Sequence, residues 1–271
     1  MTTADSTKTP PTSPLPPFPI VLRIKRQDRP DAAPYWQTFS VPYRPNMNVT
    51  SVLQQIQSNP VTANGEKTSP VNYDAACLEE VCGSCTMIIN GKVQQACSVL
   101  IDPLRAKCGN APPPPIIIEP MSKFPVIRDL IVDRTRMFEN LKRIKGWLPI
   151  DGYYHRGPGP KVDPQTQDEL YDMSRCMTCG CCLEACPQFT KANTFVGAQI
   201  FSQVKYFNLH PTGQADADER LEAIMGEGGI TDCGNAQNCV KVCPKDIPLL
   251  DSIGWSGRAA TIHSIKKFFS K

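Results

Sequence analysis

Short apolar runs with strand-like alternation occur early in the chain. They predict strands over Ile20–Ile24 and Tyr35–Val41, each with one face turned towards a core. The turn-forming stretch Asp28–Asp31 separates the two runs. Residues 1–18 are rich in Pro, Thr and Ser and have no apolar periodicity, so we expect a disordered tail there.

The pattern then changes to the spacing of a short helix. Val52, Leu53 and Ile56 form one apolar stripe, and either Asn48 or Thr50 can cap the helix at its start. Later runs predict further strands, with a tight Asn-Gly turn between the first two. These strands are Thr86–Ile89, Lys92–Gln95 and Ile116–Ile118.

Beyond about residue 120 the apolar positions follow a helical period. The predicted helices are Val126–Trp147, Gln165–Arg175, Val196–Phe207 and Asp218–Met225. We therefore predict two domains, 19–122 with strands and 123–271 with helices. The cysteine groups lie at or between these helices, so we expect the second domain to be organised around metal rather than around one large apolar core.

Composition limits what the chain can do. Its 271 residues are 41% hydrophobic and 20% charged, which is ordinary for a globular protein with two modest domains. The formal charge of +3 is too small to indicate nucleic-acid binding. No apolar stretch approaches the roughly 20 residues of a membrane span, and the N-terminus lacks the features of a secretory signal.

The thirteen cysteines carry the chemistry. Their number is odd and no export signal precedes them, so reduced thiols are more plausible than disulfides. Thiolates spaced by two to four residues are ligands for soft metals, either zinc or iron–sulfur clusters.

The first cysteine group has the C-x4-C-x2-C spacing of plant-type [2Fe–2S] ferredoxins, with a fourth cysteine further on. Structural zinc sites favour paired C-x2-C knuckles instead. Gly83 removes a side chain where backbone amides are expected to approach the cluster sulfurs. The predicted [2Fe–2S] ligands are three loop residues and one from the strand after the hairpin, namely Cys77, Cys82, Cys85 and Cys97.

The second group is a C-x2-C-x2-C-x3-C-P run, as in bacterial ferredoxins with cubane clusters, and a third group also ends in Cys-Pro. In two-cluster ferredoxins the cysteine before proline ligates the other cluster. Crossing the ligands in this way predicts two sets. One set is Cys176, Cys179, Cys182 and Cys243 for a [4Fe–4S] cluster; the other is Cys186, Cys233 and Cys239.

The third group lacks one ligand. A run spaced like the second group would carry a cysteine at position 236, where this chain has Ala236. Alanine cannot bind iron, so we expect a [3Fe–4S] cluster there. A [4Fe–4S] cluster with water or another ligand on its fourth iron is the alternative.

The remaining candidates carry weaker signals. Cys181 is expected to be a buried free thiol and Cys108 a structural or incidental one. No acid or nucleophile pattern surrounds any histidine, which favours ordinary roles for His155, His210 and His263. The C-terminal stretch 262–269 is amphipathic and can either dock on the protein or touch a membrane partner. No motif for a flavin or nucleotide is present.

Taken together, the patterns predict an α+β chain with a β-grasp ferredoxin domain followed by an all-α bacterial-ferredoxin-like domain. The motifs CLEEVCGSC, SRCMTCGCCLEACP and CGNAQNCVKVCP, with the connecting stretch FPVIRDLIVDR, resemble the iron–sulfur subunits of succinate:quinone oxidoreductase and fumarate reductase. Phrases at 41–46, 157–160 and 210–213 are most similar to the menaquinone-linked class with a diheme anchor.

The resemblance implies an electron-transfer subunit of succinate dehydrogenase. Its partners would be a flavoprotein with covalent FAD and a haem-bearing membrane anchor, with menaquinone nearby, on the cytoplasmic face of the cell membrane. Gly234 and the stretch 187–191 depart from the ubiquinone-linked pattern, although Pro187, Phe189 and Lys191 could still line the membrane-facing surface. Fumarate reductase working in reverse, or a subunit of an unrelated dehydrogenase, are the alternatives.

Overall fold

A computed structural model describes residues 18–108, 111–149 and 160–270 of the chain. Its strands are β1 Ile20–Arg26, β2 Tyr35–Val41, β3 Thr86–Ile89, β4 Lys92–Gln95, β5 Ile116–Glu119, β6 Val126–Arg128 and β7 Ile131–Val132. Its α-helices are α1 Val49–Ser58, α2 Ile101–Ala106, α3 Thr135–Arg143, α4 Pro164–Ser174, α5 Cys181–Ala185, α6 Ala198–Leu209, α7 Ala217–Met225, α8 Asn238–Lys241 and α9 Leu249–Phe269. The predicted tail, His155 and most of the stretch 157–160 lie outside the described residues.

Five strands form one mixed sheet in the order β2-β1-β5-β3-β4. The central pair β1 and β5 is parallel, and the other neighbours are antiparallel. All five predicted strands are therefore present. Residues from both central strands, including Ile24 opposite Ile118, are fully buried in the core beneath α1.

The cap of α1 is Asn48 rather than Thr50. The Asn48 side chain accepts a hydrogen bond from the Ser51 amide at 2.8 Å, and the Ser51 side chain accepts from the Asn48 amide at 3.0 Å. Thr50 is buried in the first turn instead. This reciprocal pairing satisfies two backbone donors that a helix start would otherwise leave open.

The prediction of one helix over Val126–Trp147 was wrong at its beginning and extended four residues past the end of the helix at Arg143. Residues 126–132 form the hairpin β6–β7, and helix begins only at Thr135. Asp129 adopts a left-handed φ of +47° at the turn, and its buried carboxylate accepts two 3.0 Å hydrogen bonds from Arg26 of β1. A contact over 103 residues thus fixes a local conformation that apolar periodicity cannot show.

Two other elements differ from the sequence prediction. Helix α2 lies at residues 101–106, where the apolar pattern predicts neither a strand nor a helix. The amphipathic C-terminal stretch is the end of α9, which runs for 21 residues, packs on α6 and α7 and has its buried residues between Leu249 and Ala260. At its far end Phe268 and Phe269 are 76% and 80% exposed. In the described ranges we find no helix that combines the length and apolar character needed to cross a membrane.

The helical half has a substantial apolar core of its own, contrary to the expectation that metal alone organises it. Phe124, Phe189 and Phe201 are at most 1% exposed in this core, together with residues from α3, α6 and α7. A smaller cluster around Cys239, Ile247 and Leu249 adjoins it. The cysteine groups therefore lie at the edge of a packed core.

Candidate iron–sulfur sites

The loop of residues 77–85 aims backbone donors at sulfur. The amides of Glu79, Val81 and Cys82 lie 3.4, 3.2 and 3.3 Å from the Cys77 Sγ atom. Left-handed φ values at residues 78 and 80 turn these amides to the same side of the loop. Such converging N–H groups form a concave anion-binding surface, which suits a thiolate.

The thiols of this first group interact in two pairs. Cys77 and Ser84 hydrogen-bond to Cys82, and these bonds overcome burial and lower the pKa of Cys82 to about 6. Burial, reinforced by the neighbouring Cys97 thiol, raises the pKa of Cys85 to about 12. The sequence predicts Cys97 in the strand after the hairpin, but it lies in the turn just after β4.

A cavity in the helical half is lined by the four thiols predicted to share one cluster. Three come from the run that leads into α5, and the fourth is Cys243, far along the chain. Thr178, with φ +52°, and Gly180, with φ +88°, bend the first segment around the cavity. The lining cysteines are Cys176, Cys179, Cys182 and Cys243, joined by the non-run thiol Cys181.

A second cavity collects the remaining predicted set. Cys186, Cys233 and Cys239 line it, and Ala236 stands in the same wall. The loop between Cys233 and Cys239 reverses direction through left-handed residues at positions 235 and 237. The structure therefore places Ala236 where the run's spacing would have placed a thiolate.

The donor sets fit iron–sulfur clusters, which take cysteine thiolates as ligands, because the predicted four cysteines line one cavity and the predicted three line the other. A zinc ion requires four sulfurs at about 2.3 Å from one point. Within the described part of the chain, no group of three or more His, Cys, Asp or Glu side chains converges in that way. Burial, with repulsion from the neighbouring thiols, raises the pKa of Cys182, and burial raises the pKa of Cys176 to about 11. Both thiols would therefore need a bound cation to stay ionised at neutral pH.

Cys181 is fully buried, as predicted, and it has a partner in each half of the chain. It hydrogen-bonds to Cys179, which lowers the pKa of Cys179 to about 7 against the effect of burial. It also accepts a 3.2 Å hydrogen bond from the side chain of Gln95 in β4. Cys108 lies apart, with its thiol 3.8 Å from the Leu104 carbonyl.

The other residues that the sequence analysis considered lie in ordinary core or surface positions. Phe189 is 1% exposed and packs 5.5 Å from Phe124, so its predicted place on a membrane-facing surface was wrong. Pro187 and Lys191 are exposed. His263 lies 3.1 Å from Asp218 and near Glu222, as in a surface ion pair.

Comparisons with known proteins agree with this arrangement. Residues 21–139 match the 2Fe-2S iron-sulfur cluster binding domain family, and residues 172–247 match the 4Fe-4S dicluster domain family. The succinate dehydrogenase iron-sulfur subunit of Bacillus subtilis is 52% identical over 246 residues, 91% of this chain and 94% of that protein. The fumarate reductase iron-sulfur subunit of Wolinella succinogenes is 28% identical, covering 88% and 96%.

A solved structure shares the fold. A chain of the Mycobacterium smegmatis Sdh1 complex in the apo form aligns with a TM-score of 0.71 at 22% identity, covering 90% of this chain and 97% of that one. This confirms the predicted α+β architecture of a ferredoxin-like sheet followed by a helical ferredoxin-like part. The sequence match to the B. subtilis protein decides the family, and this chain belongs to the iron–sulfur subunits of succinate dehydrogenase and fumarate reductase.

Proposed function

We propose that this chain carries single electrons from the flavin of a partner subunit to a membrane anchor in a succinate:quinone oxidoreductase. Family membership supports the activity, and the sorting of seven distant thiols into two cavities is the observation that carries the internal route. When bound, the three clusters supply one-electron transfer, and the dicarboxylate is oxidised on the flavoprotein.

The proposed ligands are those predicted from the spacing. Cys77, Cys82, Cys85 and Cys97 would hold [2Fe–2S]; Cys176, Cys179, Cys182 and Cys243 would hold [4Fe–4S]; Cys186, Cys233 and Cys239 would hold [3Fe–4S]. The cavity linings support the crossed sets, because Cys243 lines the wall with Cys176 and Cys186 lines the wall with Cys233. We also retain the division of the chain near residue 122 as a proposal.

The chain's own groups would set how easily each site accepts an electron. Hydrogen bonds from backbone amides to cluster sulfurs stabilise the more negative, reduced state and so raise the reduction potential. The loop of residues 77–85 offers three amides to Cys77 alone. Burial of Cys182 among apolar residues works in the opposite direction, because a low-dielectric site disfavours added charge.

The partners follow from the family, and their finer chemistry is proposed. The chain works with a flavoprotein and a membrane anchor. We infer that the FAD is covalent, that the anchor carries haem and that menaquinone is the acceptor on the cytoplasmic face. Gly234 supports this inference, because the histidine of the ubiquinone-linked pattern is absent beside Cys233.

Two alternatives were open from sequence. Family membership excludes the alternative that the chain is a subunit of an unrelated dehydrogenase. The higher identity to a succinate dehydrogenase subunit than to the W. succinogenes fumarate reductase subunit favours succinate oxidation over the reverse direction.

The crossed ligand sets predict the outcome of Cys243→Ser. In the complex purified with its partners, this change should weaken or remove the [4Fe–4S] electron paramagnetic resonance signal while the oxidised three-iron signal persists. Cys108→Ser is the matched control and should leave all signals unchanged, because Cys108 lies outside the cavities that the four-iron and three-iron sets line. Loss of the three-iron signal alone would contradict the crossed assignment, and clusters that succinate cannot reduce would contradict the proposed function.

A further inference from the structure

The two cysteine loops of the first and second sites touch each other directly. Gly83, in the [2Fe–2S] loop, has φ +69°, and a Cβ atom built on it would lie 2.7 Å from both Cα and Cβ of Cys179. That distance is shorter than real Cβ contacts, so only glycine permits the approach. Sequence reasoning had assigned Gly83 to cluster amides within its own loop; the structure shows a contact with the other site.

Arg134 lies at this contact, immediately before α3. Its guanidinium donates one hydrogen bond to the Gly83 carbonyl and one to the Ser84 carbonyl, both at 2.7 Å. The planar, rigid fork of arginine suits two neighbouring acceptors in a way that a lysine ammonium does not. Arg134 therefore holds the end of the [2Fe–2S] loop in position against the second site.

The charge of Arg134 reaches both sets of thiols. Burial lowers the pKa of Arg134, and the charges of Asp74, Cys179, Cys181 and Cys85 oppose that shift. A guanidinium nevertheless remains protonated in proteins. Its two hydrogen bonds end on neutral carbonyls, so they leave its charge unneutralised, and the nearby acid Asp74 is exposed to solvent.

We propose that Arg134 is a positioning residue for electron transfer between the first and second sites: it fixes residues 83–84 against Cys179 and holds a permanent positive charge between the two thiolate sets. The proposal rests on the cluster assignment given above. A nearby positive charge stabilises the more negative, reduced form of either cluster. Arg134 thus raises both potentials together and keeps the step between them short.

The test compares substitutions that separate charge from packing. Arg134→Gln keeps a hydrogen-bonding side chain and removes the charge, whereas Arg134→Lys keeps the charge and loses the fork. In redox titrations of the whole complex, followed by electron paramagnetic resonance, Arg134→Gln should make reduction of the first and second clusters about tenfold less favourable. That shift corresponds to about 59 mV for one electron. Arg134→Lys should restore most of it, and the three-iron potential should not move.

Arg136→Gln is a matched control two residues further along, in the first turn of α3. Arg136 also donates to two carbonyls, those of Thr190 at 2.6 Å and Phe195 at 2.7 Å, away from the contact between the loops. Its removal should leave the first and second potentials unchanged. Equal potentials in Arg134→Gln and wild type, or equal shifts in Arg134→Gln and Arg134→Lys, would overturn the proposal.

Asp74→Asn tests the electrostatic effect on the same two clusters by removing a negative charge instead of a positive one. This exposed side chain makes none of the hydrogen bonds of Arg134, so its change should not disturb assembly. Removing its negative charge should raise the first and second potentials, by less than Arg134→Gln lowers them. No shift, or a downward one, would contradict the proposal. Absence of the three cluster signals in the wild-type complex would instead count against the proposed function, so the two failures are distinguishable.

Discussion

At the residue scale, we expect one alanine, Ala236, to decide the type of cluster that the second cavity holds. Ala236 shares a cavity wall with Cys186, Cys233 and Cys239, and no other residue of the 233–239 loop has the spacing of the missing ligand. A methyl group offers no lone pair to iron. We therefore predict that this single side chain, rather than the fold around it, makes the cluster a three-iron one.

Changing Ala236 to Cys should convert this site to [4Fe–4S]. The added thiolate completes the four-ligand set, so the oxidised three-iron signal should disappear from the spectrum and the iron content should rise by one per complex. We expect a lower potential and slower quinone reduction, with flavin reduction by succinate preserved. Ala236→Ser controls for the change of size. An unchanged three-iron signal in well-folded Ala236→Cys protein would show that another position faces the open corner.

A second residue-scale feature is the fully buried ion pair of Arg26 and Asp129. Breaking a buried pair by removing one charge costs about 3–5 kcal/mol, since the remaining charge is left without a partner. Asp129→Asn should therefore lower the free energy of unfolding by about that much at neutral pH, measured by urea denaturation. Asp31→Asn breaks an exposed pair and should change the free energy by less than about 1 kcal/mol.

The stability that the Arg26–Asp129 pair contributes should depend on pH. Burial opposes ionisation of Asp129, but hydrogen bonds from Arg26 and Asn72 outweigh it and lower the pKa of Asp129 in the folded state. A depressed pKa gives stability that is present above the unfolded value, about 3.9, and is lost as pH falls through the folded value. The free energy of unfolding of wild type should therefore approach that of Asp129→Asn as the pH falls below about 4. A difference in free energy that does not change with pH would show that the lowered pKa of Asp129 is not its cause.

At the scale of elements, the local signals predicted what local forces determine. The five strands of the sheet and the helices α4, α6 and α7 lie within a few residues of the predicted ranges. The hairpin β6–β7 was missed because Arg26, distant in sequence, holds Asp129 at its turn. Helix α2 was missed because Pro103 inside it reads as a break, although proline near a helix start costs little.

The features of the candidate site also divide into local ones, which the sequence can predict, and contacts between distant segments, which it cannot. The ligand sets remain predictions from cysteine spacing, which is a local constraint, and the two cavities of the helical half gather the two sets predicted there. The contact of Gly83 with Cys179 and the bonds of Arg134 were not readable, because they join segments about 50 to 100 residues apart. A glycine and an arginine in sequence carry no sign of the partner that gives them a role.

The close approach at Gly83 predicts an unequal pair of substitutions. Gly91 also has a positive φ, +76°, but a Cβ atom there would meet open space. Gly91→Ala should cost about 1 kcal/mol, the strain of the left-handed backbone alone. Gly83→Ala should cost about 1–3 kcal/mol more, because its methyl group must displace the backbone of Cys179. Similar urea midpoints for the two variants would show that the contact is loose.

At the scale of the whole molecule, the cavities and the apolar cores are separate sources of order. One core lies between the sheet and α1, and another joins α3, α6 and α7 with the first half of α9. The cavity walls instead consist largely of irregular segments and the short helices α5 and α8, closed by the first turns of α6 and α9. Iron should therefore stabilise those walls far more than it stabilises either core.

Preparing the chain without iron tests this division. Hydrogen exchange should become fast over residues 176–186 and 233–247, where buried thiols such as Cys182 then lose the cation that compensates their burial. Strands β1 and β5 and the part of helix α6 beyond its first turn should keep slow exchange, because their buried side chains pack in the two apolar cores. The holo complex is the reference. Loss of protection across α6 as well would show that the helical core forms only around metal, and that its apolar packing is insufficient by itself.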